Sequence, residues 1–138
     1  MRRLAVVLVA AVTLAACGGD STEPSGAGES TSAARPESPA KIAIKVPTNG
    51  AVVKTGDVDL ELSLDGGEVV EPSVTKVTPT TGHIHVELDG VVVSMKYGLS
   101  QTVEVEDSGT HTLRVEFVAA DHLPFDPRVT DEIAFTAK

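Results

Sequence analysis

Apolar and polar residues alternate along several short stretches of the chain. In residues 57–64, DVDLELSL, an apolar residue occupies every second position and acidic or hydroxyl side chains fill the others. A period of two places the apolar side chains on one face of a β-strand and the polar ones on the other. The same pattern predicts further strands at residues 41–46, 83–88, 91–95, 101–106, 111–119 and 132–137.

Turn-forming residues separate these segments. Asp89-Gly90, between the strands at 83–88 and 91–95, predicts a hairpin with a type I′ turn. No stretch repeats its apolar residues at the helical spacing of 3.6. Short strands at this spacing are typical of a β-sandwich, so we expect an all-β chain with a single immunoglobulin-like antiparallel sandwich. Residues 65–82 fit either one irregular strand or a long loop.

The N-terminus predicts export and lipid anchoring. Arg2 and Arg3 precede an apolar stretch at residues 4–14, which is shorter than the roughly 20 residues that span a bilayer. The following LAAC resembles the lipobox of bacterial lipoproteins. This resemblance implies that residues 1–16 are a signal peptide and that a diacylglyceryl group on Cys17 anchors the mature protein to the extracytoplasmic face of the cell membrane.

The residues after Cys17 change the composition and charge of the mature chain. Residues 17–40 are nearly all Gly, Ser, Thr, Pro, Ala and Glu, which predicts a disordered linker before a domain at 41–138. Without residues 1–16, nine basic and twenty acidic residues remain, a formal charge of −11. Such a charge disfavours nucleic acid as a partner. Because Cys17 is the only cysteine, the chain cannot form an internal disulfide.

Four histidines are the main candidates for chemistry. In residues 81–90, TGHIHVELDG, His83 and His85 share the face of the strand opposite its apolar residues. Their Cα atoms are about 7 Å apart in a strand, so both imidazoles can reach one ion. The alternative is that they are two polar side chains on the solvent-exposed outer face of the strand.

The proposed strand pairing decides which residues join these two histidines. If strands 83–88 and 111–119 are antiparallel neighbours, His122 lies near His83 and His85. Asp121 is then a carboxylate neighbour, and Asp126 is an additional candidate. These ligand types suit Cu²⁺ or Zn²⁺.

The fourth histidine, His111, shares the parity of the apolar residues of its strand and should point inward at the far end. There it would cap the apolar edge or form a hydrogen bond with the Asp89-Gly90 turn. It is therefore only an additional candidate for the metal site.

Two stretches, GHIHVELDG and GTHTLRVEFVAADHLPFDPRV, resemble a group of bacterial secreted or lipid-anchored domains of unknown function. The group combines a Gly-His-x-His strand with a Gly-x-His-Thr-Leu strand and an Asp-His-x-Pro-x-(Asp/Asn)-Pro loop. The matching residues are Gly82, His83, His85, Gly109, His111, Thr112, Leu113, Asp121, His122, Pro124, Asp126 and Pro127. The resemblance covers residues 80–138 and implies an extracytoplasmic β-domain, but no activity. Some members carry histidines where this chain has Ile84 and Phe125, and this departure argues against a histidine-rich metal site here.

The remaining motifs favour a binding protein over an enzyme. The sequence has no Gly-x-Ser-x-Gly motif, no phosphate-binding Gly loop and no nucleophilic cysteine in the domain. With no Trp and one Tyr, it lacks the stacking residues of sugar-binding modules. We therefore expect a monomeric, lipid-anchored module that binds an envelope protein or has a structural role. The alternative is an extracytoplasmic copper- or zinc-binding protein that uses the histidine cluster.

Overall fold

The computed structural model describes residues 34–138, and within this range it contains nine β-strands and no helix. The strands are β1 (Lys41–Val46), β2 (Val52–Val53), β3 (Gly56–Asp65), β4 (Glu68–Val69), β5 (Thr81–Leu88), β6 (Val91–Ser94), β7 (Ser100–Val105), β8 (Gly109–Ala119) and β9 (Pro124–Ala137). Along this part of the chain, no helix has the length and apolar character needed to cross a bilayer. The predicted signal peptide and Cys17 lie outside the described residues.

The strands form two sheets. Sheet A has the order β1-β3-β7, and sheet B has the order β2-β9-β8-β5, with β4 and β6 both paired to β5. All pairings are antiparallel except β2 with β9 and β4 with β5, which are parallel over two residues each. The inner faces of the sheets share one apolar core, as in an immunoglobulin-like sandwich. The predicted fold class is confirmed.

The alternation of the sequence explains which side chains fill the core. In β3, Val58, Leu60 and Leu62 are buried, while the acidic residues between them are exposed. Phe117 and Phe125 stack in the core with their rings 5.5 Å apart. Each fully buried large apolar side chain contributes roughly 1.5–3 kcal/mol to the stability of this core.

The predicted hairpin is confirmed by its backbone. β5 and β6 pair through a turn in which Asp89 has φ 51° and Gly90 has φ 82°. A type I′ turn requires positive φ at both positions, which Asp and Gly tolerate better than most residues. The Asp-Gly pair therefore fixes the register of this hairpin.

The last strand starts earlier than the sequence predicts. β9 begins at Pro124, eight residues before the predicted start at Glu132. Its two prolines favoured a loop, because proline cannot donate to a strand ladder. In the structure Pro124 is the first strand residue, and Pro127 lies where the register of β8 with β9 is irregular. Neither position needs a backbone N–H in the ladder.

Residues 34–40, which composition assigns to the linker, lie against the sandwich. The Arg35 guanidinium binds the Asp121 carboxylate through two hydrogen bonds of 2.7 and 2.9 Å. The Asp126 N–H donates to the Pro36 carbonyl, and Ala40 is buried in the core. The contacts of the domain thus extend several residues before Lys41.

Candidate metal centre at one end of sheet B

The pairing of β5 with β8 brings three histidines together. The register places His83 opposite Val118 and His85 opposite Glu116. Beyond Val118, β8 ends in a tight turn in which the His122 N–H donates to the Ala119 carbonyl at 2.9 Å. His122 has φ 62°, in the left-handed region that non-glycine residues seldom adopt. This turn holds its imidazole against the two histidines of β5, as the sequence predicted.

The three imidazoles are in direct contact. Nε2 of His85 lies 3.1 Å from Nδ1 of His122. The rings of His83 and His122 are tilted by 32° with their centroids 4.3 Å apart. On another side of His83, the Tyr97 ring lies nearly perpendicular to the imidazole, at 81°, with the two ring centroids 5.2 Å apart. His83 is thus enclosed between a tyrosine and a second histidine.

His83 is buried, which differs from the expectation of two solvent-exposed side chains. Its relative exposure is 0%, and neither ring nitrogen has a hydrogen-bond partner at normal distance and angle. The outer face of β5 is covered here because the turn with His122 and the loop with Tyr97 fold over it. A buried polar group without a partner costs about 1–3 kcal/mol. Such groups are rare in folded proteins and call for an explanation.

The surroundings hold two of these imidazoles in the neutral form. Burial lowers the pKa of His83, and a positive charge on His122 would lower it further. A polar contact with the Glu71 backbone, outside normal hydrogen-bond geometry, opposes this shift to a smaller extent. Burial and His122 also lower the pKa of His85, although the Glu116 carboxylate opposes this. Only neutral imidazole binds a metal, so both groups keep the ligand form at neutral pH.

Two of the ring nitrogens already have the separation of metal ligands. Two imidazole nitrogens bound to one zinc ion at about 2.0–2.1 Å lie about 3.3 Å apart in tetrahedral geometry. The observed 3.1 Å between His85 and His122 is close to this value, and it is also a normal hydrogen-bond distance. Across residues 34–138, no group of three His, Cys, Asp or Glu side chains is arranged, as it stands, to hold a metal ion.

The carboxylates predicted beside the histidines have other contacts. Both oxygens of Asp121 accept hydrogen bonds from Arg35, which lowers the pKa of Asp121. Asp126 is exposed to solvent. The structure therefore brings the three histidines together, but neither Asp121 nor Asp126 offers them a free carboxylate.

Two residues near the cluster were not predicted. Glu116 is 3% exposed, lies opposite His85 in the strand register, and forms a two-point ion pair with Arg128. Its position could have been read from the same strand pairing that located His122. Tyr97 follows β6 in an irregular loop, so no sequence pattern placed it over His83.

His111 lies at the far end of the same strand pair, as predicted. Its Nδ1 is 2.7 Å from the Asp89 carboxylate, and its Nε2 is 3.0 Å from the Asp107 carbonyl. Both partners are acceptors, so the ring makes both bonds only as imidazolium. The Asp89 and Asp107 contacts raise the pKa of His111. His111 therefore hydrogen-bonds to residues of the neighbouring turns and is not part of the histidine cluster.

Comparisons with known proteins identify the class of fold. Fibronectin(III)-like modules of Clostridium thermocellum CbhA are 13% identical to this chain, with a TM-score of 0.51 over 72% of this chain and 46% of that one. The endo-β-1,4-mannanase of Thermotoga petrophila is 13% identical, with a TM-score of 0.46 over 72% of this chain and 20% of that one. CopC from Methylosinus trichosporium OB3b is 16% identical, with a TM-score of 0.39 over 72% and 93%.

The first of these likenesses supports an immunoglobulin-like β-sandwich, and at this identity it shows the fold alone. The chain spans less than half the length of the CbhA structure. No family model and no curated protein matches the sequence. Any more particular function must therefore be argued from the site.

Proposed function

We propose that this protein is a lipid-anchored, extracytoplasmic β-sandwich module that binds a copper or zinc ion through His83, His85 and His122. The observation that carries the proposal is the buried, unpartnered His83 in contact with the His85–His122 pair. The role is one of binding, without catalysis. The anchor at Cys17 would hold the site at the outer face of the membrane.

The chemistry of the cluster supports a transition metal over a hard cation. Imidazole nitrogen suits Zn²⁺ and Cu²⁺, whereas Ca²⁺ and Mg²⁺ prefer oxygen ligands. A metal ion would also give His83 the partner that the protein lacks for it, and so remove the cost of burying it. The conformation of His122 points the same way, because uncommon backbone conformations are often kept at functional sites.

The site must adjust to take an ion. His85 and His122 form a ready pair of ligands, and His83 must turn its ring to direct a nitrogen to the same point. Arg128 holds the Glu116 carboxylate next to His85, where its charge would favour a bound cation. Three protein ligands would leave a coordination position for water, as in sites that exchange or use their metal.

The test is a calorimetric titration of the full chain, purified in detergent, with ZnCl₂ and with CuCl₂ at pH 7.5. We expect one metal ion per chain with a submicromolar Kd. His85→Ala should weaken binding by more than about 100-fold. Removal of a residue that only hydrogen-bonds to a metal ligand reduces metal affinity by at most about 100-fold. His111→Gln is the matched control, because it removes a histidine that lies outside the cluster.

Two results would contradict the proposal. One is the absence of binding by the wild-type chain. The other is an equal loss of affinity in His85→Ala and His111→Gln, which would point to binding by scattered histidines. Either result would leave the second candidate, a tethered module that binds an envelope protein. The exposed apolar residues of β6 favour that candidate.

A further inference from the structure

A cleft of about 650 Å³ opens between the edges of the two sheets, at the end of the β5–β8 strand pair where His111 lies. One wall is β6 and the other is β7. Leu88, Val91, Val93 and Val103 are among its apolar lining residues. Where β6 leads into β7, the Ser94 hydroxyl donates to the Gln101 side chain at 2.6 Å and joins the two strands.

Both walls are sheet edges. Among residues 34–138, β7 pairs only with β3, and β6 pairs only with β5. Each strand therefore has one row of backbone N–H and C=O groups without a strand partner, and such a row can pair with another extended chain. Residues of both edge strands line the cleft.

β6 is short and its pairing with β5 contains a register shift, but it carries neither a charged residue nor a proline. Natural edges are commonly blocked by a charged residue, a proline or a cover. The sequence of β6 is VVVS, and Val91, Val92 and Val93 are 64%, 47% and 45% exposed. Exposed apolar residues grouped on one edge strand are typical of a surface that binds a partner.

The rim of the cleft is acidic. Asp89, Glu104, Glu106 and Asp107 line it, and no Lys or Arg is among its lining residues. The one basic side chain there, His111, is already bound to Asp89 and Asp107. A partner that neutralises this rim must bring positive charge.

We propose that this cleft binds an extended segment of a partner protein in which apolar and basic side chains alternate, and that the segment adds to β6 as a strand. Successive side chains of a strand point to opposite sides. Apolar side chains would thus enter the cleft against Leu88 and Val103 while basic ones meet the acidic rim. β6 has four residues, about 13 Å at about 3.3 Å per residue, so a segment of about four to six residues fits. This inference is independent of the metal site.

The test uses a fluorescein-labelled probe peptide, acetyl-Lys-Val-Lys-Val-Lys-Val-amide, and fluorescence anisotropy with the full chain in detergent. Two control peptides isolate the two parts of the proposal. In one, glutamate replaces lysine, which reverses the charge. In the other, alternate backbone nitrogens are methylated, which blocks strand addition from that edge and keeps the side chains. We expect each control peptide to bind at least about tenfold more weakly than the probe.

Protein variants locate the binding. Glu104→Lys should weaken probe binding by about tenfold, and it should fold, because Glu104 faces Asp57 across the strand pair and loses a like-charge contact. Glu68→Lys makes the same charge change on β4, which pairs with the opposite end of β5, and should leave binding within about twofold. Equal weakening by both variants would show general charge attraction and overturn the proposal. So would no binding of the probe, or undiminished binding of the methylated peptide.

Discussion

Each end of the β5–β8 strand pair contains a buried histidine, and the two histidines differ in their hydrogen-bond partners. At one end, both ring nitrogens of His111 face acceptors, the Asp89 carboxylate and the Asp107 carbonyl. At the other end, both ring nitrogens of His83 lack a partner. Both residues are buried, with 9% of His111 and 0% of His83 exposed to solvent. Burial alone therefore does not decide what a histidine does in this sandwich.

The difference lies in the charge that each end accepts. The acceptors around His111 raise its pKa and favour the imidazolium. Burial and the neighbouring His122 lower the pKa of His83 and favour neutral imidazole. An imidazolium paired with a carboxylate fastens a turn, whereas a neutral imidazole keeps a lone pair for a ligand. The first end is structural, and the second is the one that we propose binds a metal ion.

The largest effect is expected from filling the space at Gly82, at the end of the strand pair where His83 lies. Gly82 precedes His83, and a Cβ at this position would lie 1.9 Å from the Val118 carbonyl oxygen. Gly82→Ala therefore has to push β5 away from β8, and we expect a loss of about 3 kcal/mol in the free energy of unfolding. Urea denaturation followed by circular dichroism measures it.

The matched change at the other end is Gly90→Ala. Nothing lies within 4 Å of a Cβ there, but φ is 82°, so the cost should be about 1 kcal/mol from backbone strain alone. Equal losses for the two variants would mean that β5 and β8 are not as close at Gly82 as described.

Much of this architecture follows from the sequence. The alternation of residues 57–64 and the Asp89-Gly90 turn specify strands and register, because period-two patterning and positive φ are local properties. The meeting of His122 with His83 and His85 follows from a single assumption, that β5 and β8 are antiparallel neighbours. That assumption also places His111 beside Asp89, and the structure agrees with both consequences.

The remaining features depend on contacts that a local pattern does not carry. Tyr97 helps to bury His83 together with His122, and it lies 14 residues away in a loop without periodicity. The engagement of Asp121 by Arg35 joins residues 86 positions apart. The early start of β9 was hidden by Pro124 and Pro127, since their cost depends on whether the ladder needs an N–H there. Such features are set by tertiary structure and appear only once the sheets are assembled.

An intermediate effect is expected at the His111 end. Asp89→Asn keeps a residue that tolerates φ 51° and an oxygen that can accept from the Thr112 N–H, but it removes the carboxylate from His111. We expect a loss of about 1.5 kcal/mol at pH 6, the size of a hydrogen bond to a charged group. Urea denaturation at pH 6 and at pH 9 measures it.

The loss of stability in Asp89→Asn should depend on pH. The pKa of His111 is raised in the folded protein, so its stabilisation is fully present below the unfolded value of about 6.5 and is lost as pH rises through the raised pKa. The penalty of Asp89→Asn should therefore shrink by pH 9. A penalty that is the same at both pH values would show that His111 is neutral throughout, and the contrast between the two ends would fail.

The smallest effect, and the sharpest for the comparison, is expected from His83→Phe. Phenylalanine keeps a flat ring between Tyr97 and His122 and has no nitrogens that need partners. Because His83 is buried without a hydrogen bond, the metal-free variant should be more stable than the wild type by about 1 kcal/mol at pH 7. Thermal unfolding in the presence of a chelator measures it.

The contribution of His83 to stability changes with pH in the opposite direction to that of His111. The pKa of His83 is lowered on folding, so its neutral form is fully compatible with the fold above about pH 6.5, and stability is lost as pH falls from there toward the lowered pKa. The advantage of His83→Phe should thus grow between pH 6.5 and pH 5. A variant less stable than the wild type across this range would mean that His83 has a partner in solution, such as an ordered water molecule.

Added Zn²⁺ or Cu²⁺ completes the test. An ion that binds only the folded state raises its stability by an amount that increases with the ratio of free ion to Kd. Saturating metal should therefore stabilise the wild type more than His83→Phe, which lacks the third ligand, and reverse their order of stability. A histidine that costs stability without metal and adds to it with metal is explained by binding and not by packing.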